Sequence, residues 1–144
     1  MEYIKYVIDY GIIGLLVFMS LAGFAISIER YLFFRTMKLY DYPERKRLEL
    51  ALTERLHLIA SIGSNAPYIG LLGTVLGIMF TFYSMGQNGF MDTGKIMIGL
   101  AMALKVTAVG LLVAIPAVFI HNLLLRRAKV ILMQWDIEDG REGI

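Results

Sequence analysis

The chain has 144 residues, of which 58% are hydrophobic and 18% charged, with a formal net charge of +2. Its mean hydropathy of +0.65 makes a membrane the expected medium, and so small a net charge gives no bulk signal for a nucleic-acid partner. Cysteine is absent, and His57 and His121 lie far apart and away from any carboxylate cluster; disulfides and thiol chemistry are excluded, and neither a metal site nor another cofactor is expected.

The first element is the uncharged run from Tyr10 to Ile28, closed by Glu29 and Arg30. Its leading segment sets Glu2 and Asp9 against Lys5, the apolar run is long, and basic residues follow it. This predicts a retained transmembrane helix, TM1, over about 10–28 rather than a cleaved signal peptide. Tyr3, Tyr6 and Tyr10 before it and Tyr31 after it suit interfacial belts.

The loop over 29–62 is polar and carries Arg30, Arg35, Lys38, Arg45, Lys46, Arg47 and Arg55. Asp41-Tyr42-Pro43 marks a turn. Leu48, Leu52, Leu56 and Ile59 then recur at helical spacing, predicting an amphipathic segment that caps the bundle on one side of the membrane. Ser64, Asn65 and Pro67 supply helix-start chemistry for TM2, over about 66–85.

TM2 lies in a run without charge from Leu58 to Met91, long enough to cross a hydrocarbon core of about 30 Å. Gly70, Thr74, Gly77, Thr81 and Ser84 recur at steps of four and three and so share one helix face; Gly73 and Gly77 add a Gly-x-x-x-Gly step beside it. Small residues let helices approach closely in lipid, and hydroxyls bond across the contact. Gly86-Gln-Asn-Gly89 breaks the helix, and Asp92-Thr93 can cap the next. With so short a connector, TM2 and TM3 are antiparallel neighbours.

TM3 is predicted over about 96–120. It repeats the pattern in Ala103, Thr107, Gly110, Ala114, Ala117 and His121. Pro116 should kink it and free the carbonyl of Leu112. From 121 to 144 a helical pattern continues out of the membrane, with Arg126, Arg127 and Lys129, and the acidic tail Asp136–Ile144 is expected to fray. The fold class is therefore an all-α membrane protein, one domain over 1–144. One hairpin does not bury two small faces, so the stripes predict packing between subunits in an oligomeric bundle.

Orientation follows from the basic residues. The first loop holds seven and the tail four, against Lys5 at the start and Lys95 in the TM2–TM3 connector. Positive charge stays inside. The N-terminus and connector are then expected outside, with the loop and C-terminal helix in the cytoplasm.

Two hydroxyls sit mid-stripe, Thr74 and Thr107. Either both stripes are packing faces alone, or these threonines line a narrow polar path. A threonine accepts and donates hydrogen bonds but holds no proton by itself. No Asp or Glu occurs from Arg55 to Met91 or from Thr93 to Trp135. Intramembrane proton relays use carboxylates or histidines, so any titrating acid has to come from a partner chain. Lys105 is the one charge inside a predicted membrane helix, roughly 14 Å past Ile96 at about 1.5 Å per residue. It is expected to face the protein interior, unless a tilted helix lets it snorkel. Nothing forms a catalytic constellation, and an enzyme is not expected.

Asn-Ala-Pro-Tyr-Ile-Gly-Leu-Leu-Gly-Thr-Val-Leu-Gly-Ile-Met (65–79) resembles the second-helix signature of the MotA/TolQ/ExbB proton-channel family. Ala-Leu-Lys-Val-Thr-Ala-Val-Gly-Leu-Leu-Val-Ala-Ile-Pro-Ala (103–117) resembles its third-helix signature. The resemblance implies a multi-pass protein of the cytoplasmic (inner) membrane of a Gram-negative bacterium. It also implies a homopentamer around the single membrane helices of an ExbD-type dimer, energising TonB with the proton-motive force. Family pore threonines match Thr74 and Thr107, and the membrane carboxylate belongs to the ExbD-type partner. The chain departs from the pattern at Met102, where many relatives carry glutamate, and in a short cytoplasmic part. A TolQ-type role beside TolR and TolA is the near alternative. A small secondary transporter lacks its internal repeat here, and a structural membrane scaffold would leave Lys105 unexplained.

Overall fold

Large apolar side chains cover the outside of this molecule and small ones fill its middle. Phe18, Leu21 and Phe24 on the first helix are exposed, as are Leu71 and Leu72 on the second long helix and Leu112, Ile115 and Phe119 on the third. Water would penalise such a surface, whereas hydrocarbon accepts it. The computed structural model describes residues 2–89 and 92–142. Over these the chain runs as α1 (Glu2–Thr36), a 3-10 turn (Leu39–Asp41), α2 (Arg45–Thr53), α3 (Leu56–Asn88) and α4 (Thr93–Glu142). Three of the helical stretches are long and apolar enough to cross a membrane.

The long helices pack as an antiparallel bundle. Gly23 of α1 meets Ile62 of α3, and Ile12 meets Gly73, while Gly63 meets Val118 of α4 and Gly77 meets Ala103. Both series run in opposite directions, so α1 and α4 are parallel to each other and antiparallel to α3. Leu16, Ala66 and Ala114 form the central layer, flanked by Ile12, Met19, Ile69, Val109 and Val113.

At one end the bundle carries a second core. The Leu48, Leu52, Leu56 and Ile59 stripe is buried against Phe34, Leu124, Ala128, Ile131 and Leu132. Helix α2 thus lies along the part of α4 beyond the central layer. Trp135 Nε1 donates to the Tyr42 carbonyl at 3.0 Å, and Arg45 pairs with Asp136 at 3.1 Å. Arg30, only 3% exposed, ties α1 to this cap. Its guanidinium donates to the Ala51 carbonyl at 2.7 Å and to the Glu29 carboxylate at 2.8 Å. Arg55 reaches the same carboxylate at 3.3 Å.

Two boundaries differ from the sequence expectation. The Leu stripe does not ride on one helix: the chain breaks between α2 and α3 at Arg55, which is left-handed with φ of 65°. The break re-aims the chain so that Leu52 and Leu56 both stay buried. For a non-glycine residue that conformation costs roughly 1–2 kcal/mol. Ser64, Asn65 and Pro67 do not start a helix either, because α3 begins at Leu56 and Pro67 lies inside it. Without an N–H, Pro67 leaves the Gly63 carbonyl unbonded within the helix. Just ahead of it Asn65 Nδ2 and Ser64 Oγ donate to the Ser61 carbonyl at 2.8 and 3.3 Å. These donors serve the Ser61 carbonyl and not the Gly63 carbonyl that the proline frees.

Further along, α3 continues through Gly86 and stops at Gly89, which takes the left-handed C-terminal position with φ of 63°. Asp92 Oδ1 accepts from the Gly94 N–H at 2.9 Å, a side-chain cap for α4. Helix α4 is continuous through Pro116 to Glu142. Of the tail expected to fray, the described part is helical; residues 143 and 144, like Met1 and the 90–91 step, lie outside the described residues.

Candidate functional site: the seam between α3 and α4

The two small-residue stripes face each other inside one chain. A Cβ built on Gly70 would stand 3.2 Å from the Cα of Gly110, and one on Gly110 would stand 2.8 Å from the Ala66 carbonyl oxygen. Only glycine at both positions allows the backbones this close. Gly73 packs on Val106, Gly77 on Ala103, and Thr81 on Gly99, with Ala114 buried against Ala66 in the central layer. The expectation that these stripes wait for a neighbouring subunit is therefore corrected. An antiparallel hairpin lets both stripes point at the same seam, and each satisfies the other.

Polar groups interrupt this seam at one level. Thr74, 7% exposed, donates from Oγ1 to the Ala103 carbonyl across the seam at 2.9 Å. Its oxygen also touches Thr107 Oγ1. Thr107 in turn reaches the Gly70 carbonyl at 3.3 Å. Each hydroxyl has one proton to give. The set thus has three arrangements: Thr107 donates to Thr74 while Thr74 donates to Ala103 or, at 3.4 Å, to the Gly70 carbonyl of its own helix, or Thr74 donates to Thr107 and Thr107 to Gly70. Both ends of this short chain are carbonyls, which take hydrogen bonds but pass no proton on. Thr107 is half-buried, so its open side is where a further group would have to arrive. Thr81 bonds within its own helix, to the Gly77 carbonyl at 2.8 Å.

Lys105 lies elsewhere. Within this chain it is exposed, not turned to the interior, and among the described residues no carboxylate lies within 4.0 Å of it. It sits two positions from Thr107, about 200° around a helix with 3.6 residues per turn, so it points away from the seam that Thr107 faces. Pro116 is exposed, as is Met102. His121, last in the α4 stripe, keeps Nδ1 buried without a hydrogen-bond partner among the described residues.

Sequence reading missed two features. One is Arg30, whose position next to Glu29 suggested only the end of a membrane span. The other is a groove between α1 and α4 where Arg35 and Arg127 stand together. Their spacing from the apolar residues above them is helical on each helix, which is the signal that could have found it.

A bundle of apolar helices around a close glycine seam, with hydroxyls at one level and no carboxylate in its predicted membrane spans, defines a helix-packed membrane protein. The chain belongs to the MotA/TolQ/ExbB proton channel family, whose model matches residues 29–137. It is 57% identical over 133 residues to a Helicobacter pylori biopolymer transport protein designated ExbB-like 2, covering 92% of this chain and 89% of that one. It is 51% identical over 140 residues to the biopolymer transport protein ExbB of Aquifex aeolicus, covering 97% of this chain and 95% of that one. A second Helicobacter pylori relative, also named biopolymer transport protein ExbB, is 45% identical over 131 residues, 91% of this chain and 90% of its own. These relatives are nearly as short as this chain, so its small loop and extension are shared with them. The family and the three apolar helices together fit a multi-pass inner-membrane protein.

Proposed function

We propose that this chain is the channel subunit of an inner-membrane motor that uses the proton-motive force to energise TonB-dependent uptake across the outer membrane. The observation that carries the reading is the Thr74–Thr107 pair, two hydroxyls bonded at one level in a membrane seam, in a chain similar along most of its length to ExbB-named biopolymer transport proteins. The pair cannot hold a proton alone. The acid that does is supplied by an ExbD-type single-helix partner approaching the open side of Thr107. Copies of this chain, five in the reading taken from the family, surround that partner. The role is assembly and conduction, not enzymatic catalysis.

The first loop and the α4 extension lie in the cytoplasm, with the N-terminus and the α3–α4 connector in the periplasm. Supporting this, the bases of the loop and of the α4 extension gather at the same end of the bundle, the end where α2 packs on α4.

Copurification tests the proposal. The tagged full chain, extracted from its own membrane, should bring a one-helix protein with a carboxylate inside its span, in an oligomer of five chains. A TolR-like partner in place of an ExbD-like one would move the chain to envelope maintenance. A stable monomer without a partner would overturn the reading.

A further inference from the structure

The groove between α1 and α4 has a polarity that runs along the helix axes. Its cavity of about 600 Å³ is lined by Phe24, Ile28, Ile120 and Leu123 toward one end. Tyr31, Arg35 and Arg127 line it toward the other. On α1 the lining steps four, three and four from Phe24 to Arg35, and on α4 it steps from Ile120 through Leu123 and Leu124 to Arg127, each on one helical face. Since α1 and α4 are parallel, both arginines fall at the same end. That end leads to α2 and the cap, where the apolar spans stop.

The two arginines stand outside the ion pairs formed among the described residues. Arg30, Arg45, Arg47 and Arg55 each have a carboxylate within 4.0 Å. Neither Arg35 nor Arg127 has one among the described residues. The Arg35 guanidinium lies 5.9 Å from the centre of the Tyr31 ring, within the groove. Two unpaired guanidiniums and a phenol at the mouth of an apolar furrow, at the level where hydrocarbon gives way to headgroups, match one chemistry: a phosphate ester attached to an acyl chain.

We propose that this groove binds one anionic phospholipid, its phosphate between Arg35 and Arg127 and an acyl chain along Phe24, Ile28, Ile120 and Leu123. An anionic headgroup is favoured over a zwitterionic one because a choline or ethanolamine cation would be brought up to two like charges. The lipid would fill the furrow between α1 and α4 and so fasten α1 to the helix that carries Thr107. This does not depend on the uptake role, on the partner or on the orientation in the membrane.

The test uses the full chain in neutral detergent, titrated separately with phosphatidylglycerol and phosphatidylcholine of the same acyl chains, with bound lipid counted by native mass spectrometry. Phosphatidylglycerol should bind at least about tenfold more tightly, as two charge-assisted contacts warrant. In R35Q/R127Q the preference should fall close to one while the helical circular dichroism is unchanged. Should that variant not fold, Leu123→Trp, which fills the furrow and leaves both charges, should reduce binding of both lipids. Equal binding of the two lipids by the unmodified chain, or a preference that survives loss of both arginines, would overturn the proposal. So would an oligomer in which a second copy fills the groove and no lipid is retained.

Discussion

Gly70 and Gly110 meet backbone to backbone across the α3–α4 seam: a Cβ added to either would stand within 3.0 Å of a carbonyl oxygen on the facing helix, at 3.0 Å from Val106 and 2.8 Å from Ala66. No rotamer relieves such a contact, because both sides are main chain. The seam is therefore a fixed element of the single chain, and the hydroxyls at its centre inherit its rigidity.

Gly110→Leu should separate the helices and cost at least about 2 kcal/mol, read as a lower melting temperature in detergent. Gly77→Leu should act the same way on the hairpin, since its Cβ would fall 2.9 Å from that of Ala103. Gly86→Ala is the control. Nothing lies within 4 Å of its added carbon, and α3 is helical there, so it should stabilise by up to about 1 kcal/mol. Equal melting of all three variants would contradict the seam.

The buried Arg30 gives a second prediction. Arg30→Met removes the donor to the Ala51 carbonyl and frees Glu29 from its 2.8 Å partner. A hydrogen bond from a charged group contributes about 1.5–3 kcal/mol, and a loss of that order is expected. Arg45→Ala removes a half-exposed pair with Asp136 and should cost less than about 1 kcal/mol. Chemical denaturation of both variants in the same detergent compares them; a larger loss from Arg45 would show that the cap is held at its rim.

Much of this was legible as faces and little of it as partners. The periodicity of Gly70, Thr74, Gly77 and Thr81 on one helix and of Ala103, Thr107, Gly110 and Ala114 on the other marked the sides that pack. Periodicity cannot say whether such a side meets its own chain or another, and the hairpin turn decided it. The break at Arg55 was invisible because an arginine carries no turn signal; burial of the leucines on both sides imposes it. Pro67 read as a helix start because proline suits a first turn. It sits inside α3 instead, because the helix already begins at Leu56. The sequence leaves Lys105 open between the interior and the interface for a related reason: depth along a helix is readable, but direction depends on which faces the neighbours take.

Lys105 supplies a third prediction. It is exposed on its own chain and has no carboxylate within 4.0 Å among the described residues, so Lys105→Met should leave the melting of the isolated chain within about 0.5 kcal/mol. In the assembled complex a mid-membrane cation needs a compensating group, and the same variant should retain less of its partner. Mass measurement of the complex checks both arms. Unchanged partner retention would mean that the ammonium reaches the interface by itself.

The most direct measurement is partner-dependent proton flux in vesicles containing the complex with Thr74→Val and Thr107→Val together. Valine keeps each shape and removes each hydroxyl, so the Ala103 and Gly70 carbonyls lose only a side-chain donor and the seam remains packed. The account predicts an intact complex by mass and a flux reduced at least about tenfold. Undiminished flux through the intact double variant would contradict it, and would leave the threonine pair as packing alone.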